Sequence, residues 1–184
     1  MSAPTMRELY AGYFPNVAVQ DDAARSFKFY DEFVKDRTVI VNFIFTTCTG
    51  ICPRSTAKLI EVKKQLAARF PKDISFVSVS VDPVVDTPET LRKYMARFEI
   101  EPGKGWRFVT GTEANCRAIR ERLGFRSDDK MDHTGLFIWG NERTGVWGMI
   151  PSISSAEQIA LAVSGAADSA SIFPTVPVAE ANPE

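Results

Sequence analysis

The most constraining feature of this chain is an apolar run, residues 39–45, that leads within a few residues to Cys48 and Cys52. Residues 38–45 are nearly continuously apolar, which is typical of a central strand covered on both faces. Residues 53–70 then place large apolar side chains at helical spacing. The sequence therefore predicts strand, tight loop and helix, with two thiols where the helix starts and with Pro53 at its first position.

Two thiols at a helix start have a distinctive chemistry. Backbone N–H groups and the helix dipole favour negative charge there, so a cysteine at that point tends toward the thiolate. Thiolate is the form that binds soft metals and exchanges disulfides, so the pair is a redox couple, a metal clamp or both. The alternative is two buried structural cysteines, which behave as small hydrophobes. Gly50, which loosens the loop, and Pro53 favour the functional interpretation.

The spacing of the pair excludes two familiar motifs. A thioredoxin-type Cys-x-x-Cys would need cysteine at Ile51, and a peroxiredoxin-like motif would need proline at Val41 and threonine at Phe45. Cys-x-x-x-Cys separates the thiols by roughly one helical turn. That separation is compatible with a disulfide, whose Cα atoms lie about 4.4–6.8 Å apart, and equally with one shared ion.

Composition narrows the class of protein. A chain of 184 residues with 45% hydrophobic residues favours one domain with a substantial core. A net charge of −1 without a basic cluster argues against nucleic-acid binding. We find no apolar run of the ~18–20 residues that a membrane span needs, and no basic flank with an apolar signal core at the N-terminus. We therefore expect a soluble domain at 12–165, between an arm at 1–11 and a disordered proline-containing tail at 166–184.

The remaining elements predict an α/β fold. Further strands are expected at 13–19 (or one limb of a hairpin), 74–81 and 107–110, and a β-hairpin at 134–139 and 146–150. Helices are expected after the N-caps Thr87 and Thr112, and a last helix after a Ser154/Glu157 capping box, ending near Gly165. This order indicates a mixed sheet with helices on both faces, with the cysteine loop at the carboxyl end of a central strand. A thioredoxin-like fold is the best match.

Three further residues must be placed relative to this candidate site. Cys116 shares a helical stripe with Ile119 and Leu123, which predicts a core position rather than a reactive thiol. His133 is the only histidine and precedes a strand that could return beside the cysteine loop. Two thiolates and one imidazole suit Cu(I) and accept Cu(II), and zinc would also accept them with water as a fourth ligand. Asp132 could orient the imidazole or meet a partner.

Several runs of the chain, spread over residues 12–165, resemble the Sco/SenC family of copper-handling proteins with a thioredoxin-like fold. The matching runs are residues 42–53 around the cysteines, 79–83 with 86–89, 106–112, and 132–134. The resemblance implies that Cys48, Cys52 and His133 are copper ligands and that Asp132 is the family's aspartate before the histidine.

The resemblance also implies a function. Family members help assemble the binuclear CuA centre of cytochrome c oxidase by delivering copper, by reducing the target cysteines, or by both. The implied partner is the copper-bearing subunit of the oxidase or another copper acceptor, and the implied location is periplasmic or otherwise extracytoplasmic. A thiol-disulfide oxidoreductase that cycles Cys48 and Cys52 without a metal is the main alternative. A metal-free sensor or interaction module would leave the convergence of two cysteines and one histidine unexplained.

Overall fold

The computed structural model describes residues 12–68, 74–125 and 135–168, and within them seven strands form one mixed sheet. The strands are β1 (Ala18–Asp21), β2 (Ser26–Lys28), β3 (Thr38–Ile44), β4 (Ile74–Ser80), β5 (Trp106–Thr110), β6 (Leu136–Asn141) and β7 (Val146–Pro151). Their order across the sheet is β2-β1-β5-β4-β3-β6-β7. The three central strands β5, β4 and β3 are parallel, and antiparallel strands flank them on both sides.

Within the described ranges, four α-helices with defined bounds lie on the two faces of the sheet. They are α1 (Ile51–Ala67), α2 (Pro88–Ala96), α3 (Glu113–Arg122) and α4 (Ala156–Asp168). Helices α1, α2 and α4 contribute to a core cluster on one face, while α3 and a π-helical turn, Tyr30–Val34, contribute to a second cluster on the other. This mixed sheet between two helical layers is the predicted thioredoxin-like arrangement.

Strand β3 is one of the three central strands, as expected for a strand with two apolar faces. All seven of its residues are buried. Ile40 and Ile44 pack into one core cluster, and Val39, Val41 and Phe43 into the other. The alternation follows from the two-residue period of a strand. The near-continuous apolar run of the sequence therefore did predict the strand that carries the cysteine loop.

The first strand begins later than predicted. Strand β1 starts at Ala18, whereas the sequence predicted a strand or one limb of a hairpin at 13–19; β1 does pair with β2 as a hairpin. Pro15 has no N–H to give to a strand ladder. Asn16 uses its side chain instead, with Nδ2 donating to Asp31 Oδ2 at 2.8 Å and Oδ1 accepting from Asp31 N at 3.2 Å.

The last helix also differs from its prediction at both ends. The capping box is formed by Ser155 and Gln158: the Gln158 N–H donates to Ser155 Oγ at 3.1 Å, and the Ser155 N–H donates to Gln158 Oε1 at 3.0 Å. The Ser154 N–H instead donates to the carbonyl of Pro151 in the preceding turn. Helix α4 then continues to Asp168, past the predicted end near Gly165.

Candidate functional site

Several strand ends lie side by side at one edge of the sheet. The parallel strands β3, β4 and β5 all end at this edge. Strand β6 is antiparallel to β3 and therefore begins at this edge, and β7, which is antiparallel to β6, ends there. The loop that follows β3 contains Cys48, and helix α1 starts directly after that loop. The carboxyl edge of parallel strands is where open α/β sheets usually bind ligands.

Helix α1 starts at Ile51, two residues before the predicted start at Pro53. Gly50 is the N-cap and has no side chain to accept a hydrogen bond, so the first backbone N–H groups need another acceptor. The Cys52 N–H donates to Cys48 Sγ at 3.5 Å. Pro53 is tolerated in this first turn because its missing N–H removes one donor that would need a partner.

Cys48 and Cys52 are therefore brought together, and both are thiols rather than a disulfide. Cys48 is 7% exposed and Cys52 is 1% exposed. The Cys52 thiol hydrogen-bonds with Cys48. Contact of this kind places the two sulfurs where they can share one soft ion or form a disulfide after a small adjustment.

The environment separates the acidities of the two thiols. Burial raises the pKa of Cys48, but hydrogen bonds from the backbone and thiol of Cys52 and from the backbones of Gly50 and Ile51 outweigh it, so the pKa of Cys48 is lowered. Burial raises the pKa of Cys52, and the hydrogen bond to Cys48 and its charge raise it further, against a hydrogen bond from the Phe45 backbone. Cys48 is consequently the thiol that ionises first.

Tyr94 contributes to the apolar surroundings of the thiols. Its ring is buried in the same core cluster as both cysteines, and its hydroxyl lies 2.9 Å from that of Thr56. Burial raises the pKa of Tyr94 to about 12, and the nearby charges of Cys52 and Cys48 act in the same direction. Tyr94 therefore stays neutral at physiological pH and cannot act as a base for the thiols.

Asp86 anchors the cysteine loop, a role that the sequence analysis missed. Its side chain is fully buried. One carboxylate oxygen accepts from Thr46 N at 3.0 Å and from Thr46 Oγ1 at 2.6 Å, and the other accepts from Ser80 Oγ at 2.6 Å. The carboxylate thereby ties the loop after β3 to the end of β4. The only sequence signal was that Asp86 belongs to one of the matching runs.

His133 and Asp132 lie outside the described residues. In the described ranges, 12–68, 74–125 and 135–168, no group of three or more His, Cys, Asp or Glu residues is arranged to hold a metal ion. The described chain resumes at Gly135, where a Cβ would overlap the side chain of Ile51, next to Cys52. The two cysteines supply two soft donors for a copper ion, and a His, Asp or Glu as third ligand would have to come from outside the described residues.

Cys116 lies apart from this pair in α3, facing the interior. It is 4% exposed. Burial raises its pKa to about 12, with the charge of Asp86 acting in the same direction. The predicted core position of Cys116 is therefore correct.

The fold and the paired thiols define a thioredoxin-like protein with a Cys-x-x-x-Cys loop at the carboxyl edge of its sheet. The model of the SCO1/SenC family matches residues 21–168, so the chain belongs to the SCO1/SenC family. A SCO1 protein homolog from Bacillus subtilis is 38% identical over 80 residues, which are 44% of this chain and 40% of that protein. The match thus spans less than half of the curated relative.

Solved structures show the same fold. Yeast Sco1 with copper bound aligns over 86% of this chain and 94% of its own, with a TM-score of 0.70 and 17% identity. BsSco, described with a disulfide switch as a member of the Sco family of cytochrome c oxidase assembly proteins, aligns over 84% of this chain and 94% of its own, with a TM-score of 0.68 and 22% identity. Among the helices described here, none has both the length and the apolar character that crossing a bilayer requires.

Proposed function

We propose that this protein binds copper through Cys48, Cys52 and His133 and hands it to an acceptor during assembly of the CuA centre of cytochrome c oxidase. The observation that carries the proposal is the pair of thiols held in contact at the start of α1, with hydrogen bonds that favour the thiolate of Cys48. Paired thiolates prefer Cu(I) over hard ions such as magnesium or calcium. Membership of the SCO1/SenC family supports this choice, as does the copper bound by yeast Sco1.

The short stretch of chain between His133 and Gly135 supports His133 as the third ligand. His133 precedes Gly135 by two residues, and two residues span at most about 7 Å of extended chain. Gly135 itself approaches Ile51, the residue before Cys52. An imidazole attached at this point has the reach to complete a soft three-donor site, and Asp132 is placed by sequence to orient it.

Copper titration of the reduced protein tests this proposal. Wild type is expected to hold one equivalent, and Cys48→Ser, Cys52→Ser and His133→Ala are each expected to weaken binding. Asp132→Asn is expected to weaken it by about 10–100-fold. Cys116→Ala is the matched control and should bind as wild type does. Wild-type affinity and spectrum in His133→Ala at every pH would remove His133 from the site.

The pH dependence provides a second test of His133. An imidazole binds metal only when it is neutral, and its ordinary pKa is about 6.5. Copper binding by wild type should therefore weaken as the pH falls through this range, because protons compete with the metal. The thiols compete for protons as well, so the informative quantity is the part of the acid-side dependence that His133→Ala loses.

The asymmetry of the two thiols favours one alternative function, thiol-disulfide exchange. The Cys48 thiolate would attack a disulfide of the partner and form a mixed disulfide, and Cys52 would then displace the partner. The partner gains two thiols, and this chain ends as the Cys48–Cys52 disulfide. Reduction of protein disulfides by His133→Ala at the wild-type rate, together with the absence of copper binding by wild type, would favour this function over copper delivery.

A further inference from the structure

Three large hydrophobic side chains that are exposed in the described parts of the chain lie in loops beside the cysteine loop, whereas the exposed Tyr13, Met149 and Leu161 lie elsewhere. The three are Ile153 at 90%, Val84 at 72% and Val85 at 41% exposure. Val84 and Val85 follow β4, and Ile153 follows β7. Both loops lie at the edge of the sheet where β3 ends and the loop with Cys48 begins.

Specific contacts connect both loops to the loop that carries the thiols. Asp86, the residue after Val85, accepts two hydrogen bonds from Thr46. On the other side, the Ser152 N–H donates to the carbonyl of Gly135 at 2.6 Å, and Gly135 lies against Ile51. The valines and the isoleucine therefore flank the cysteine loop from two sides, in positions set by the fold.

Few charged residues lie in the described segments of this surface, which Asp82 and the exposed Arg54 border. Residues 45–53, 83–85 and 144–156 contain no Asp, Glu, Lys or Arg, in a chain that is 24% charged. Both thiols are buried, Cys48 to 7% and Cys52 to 1% exposure. Transfer of copper from these thiols to thiols of an acceptor therefore requires close contact between the acceptor and this surface. In the described part of the surface, that contact would be mainly apolar.

We propose that Val84, Val85 and Ile153 form a docking rim for a protein acceptor that presents a neutral, apolar loop with two thiols to Cys48. The inference rests on the proposed function and adds the surface that recognises the acceptor. Attraction at the rim is hydrophobic, so the rate of transfer is set by apolar contact rather than by electrostatic steering. Transfer to the protein acceptor should consequently change little between low and physiological salt.

The experiment compares a protein acceptor with a small one. Val84→Glu and Ile153→Glu place a charge on the rim, and Leu161→Glu, at an exposed leucine of α4, is the matched control. The copper-loaded variants are mixed with the copper-free soluble domain of an oxidase copper-bearing subunit, or with the Cu(I) chelator bicinchoninate. The rim variants should slow transfer to the protein at least tenfold and leave transfer to the chelator within twofold, while Leu161→Glu matches wild type in both.

Other outcomes overturn the proposal. Wild-type transfer rates in both rim variants would show that the rim does not dock the acceptor. Equal slowing toward protein and chelator would place the effect on the thiol site itself, and a strong fall of the wild-type rate with salt would indicate electrostatic docking. Val84→Leu and Ile153→Leu keep the surface apolar and should retain the wild-type rate.

A parallel measurement separates this proposal from the copper function. In this assay the same variants, in their reduced form, are given one of two disulfide substrates: the oxidised acceptor domain, or oxidised glutathione as the small substrate. A rim effect confined to the protein substrate, in a protein that holds no copper, would sustain the docking rim and reject copper delivery. Equal rates for wild type and rim variants with both substrates would reject the rim whichever chemistry Cys48 and Cys52 perform.

Discussion

At the scale of single residues, the two thiols of the cysteine loop have opposite environments. Cys48 accepts hydrogen bonds from the first turn of α1, which lower its pKa despite its burial, whereas burial raises the pKa of Cys52. Only the thiolate is nucleophilic. We expect iodoacetamide to modify Cys48 before Cys52 in the reduced, copper-free protein, and the pH midpoint of the rate at Cys48 to lie below that of an ordinary thiol.

Peptide mapping of the alkylated protein across a pH series measures both sites at once. The rate at Cys52 should still be rising at a pH where the rate at Cys48 has become constant. Cys48→Ser removes the competing site and should leave only slow modification of Cys52. The same pH midpoint at both thiols, or faster modification of Cys52, would contradict the hydrogen-bonding account.

Two adjacent aspartates, the last residue of β1 and the residue after it, show the same dependence on environment. Burial raises the pKa of Asp21, but hydrogen bonds from the side chain and backbone of Arg25 and from the Ala23 backbone outweigh it, and the pKa is lowered. Asp22 is equally buried, and neither of its carboxylate oxygens has a hydrogen-bond partner. Burial and the charge of Asp21 therefore raise the pKa of Asp22.

These opposite shifts predict opposite effects on stability. The lowered pKa of Asp21 means that its contribution is complete above its unfolded pKa of about 3.9 and is lost as the pH falls through its folded value. The raised pKa of Asp22 means that folding loses free energy as the pH rises from about 3.9 to its folded value. At pH 7, Asp21→Asn should lower the free energy of unfolding by about 1–3 kcal/mol, and Asp22→Asn should raise it. Urea denaturation at pH 7 and pH 3 measures the free energy of unfolding of wild type and both variants. A lower free energy of unfolding for Asp22→Asn than for wild type at pH 7 would contradict this explanation.

At the scale of elements, local signals were predictable from the sequence and distant contacts were not. Thr87 and Thr112 cap α2 and α3 as predicted, because the hydroxyl and the N–H that it accepts from are three residues apart. Ser154 and Ser155 both have an acid or amide side chain three residues later, so the pattern alone did not distinguish them, and Ser155 is the cap. Asp86 was missed because its partner Thr46 is 40 residues away in the chain.

That distant contact gives a prediction for the cysteine loop. Asp86→Asn leaves one acceptor oxygen where the carboxylate served three donors, so we expect a loss of about 1–3 kcal/mol in stability. The Thr46 N–H should exchange with solvent faster, which hydrogen exchange measures directly. Thr46→Val removes only the hydroxyl bond and should cost less. Because both changes affect the same contact, the double variant should cost less than the sum of the two, and strict additivity would show that the contact contributes little.

At the scale of the whole molecule, the sequence predicted the sheet class and the place of the thiols, because hydrophobic periodicity and the edge rule for open sheets are general. It did not predict the order β2-β1-β5-β4-β3-β6-β7, which depends on pairings between strands far apart in the chain. Strand β1, for example, pairs with β5 across some 90 residues, as Gln20 with Thr110. The roles of Cys48, Cys52, His133 and Asp132 as a copper site remain predictions.

The end of α4 allows a test of the domain boundary. The sequence predicts that the domain ends at residue 165, but Ala166 is fully buried and its carbonyl accepts a hydrogen bond from Thr144 Oγ1 at 3.3 Å. A chain ending at 165 loses this contact and the last turn of α4, so it should unfold at a lower temperature than a chain ending at 168. Loss of a buried alanine and one hydrogen bond corresponds to about 1–2 kcal/mol, or some 2–8 °C in a domain of this size. Thermal unfolding of the two truncated chains side by side measures the difference, and Thr144→Val in the longer chain removes the hydrogen bond alone. Identical melting temperatures for the two truncations would mean that the last turn adds nothing to the fold and would favour the boundary at 165.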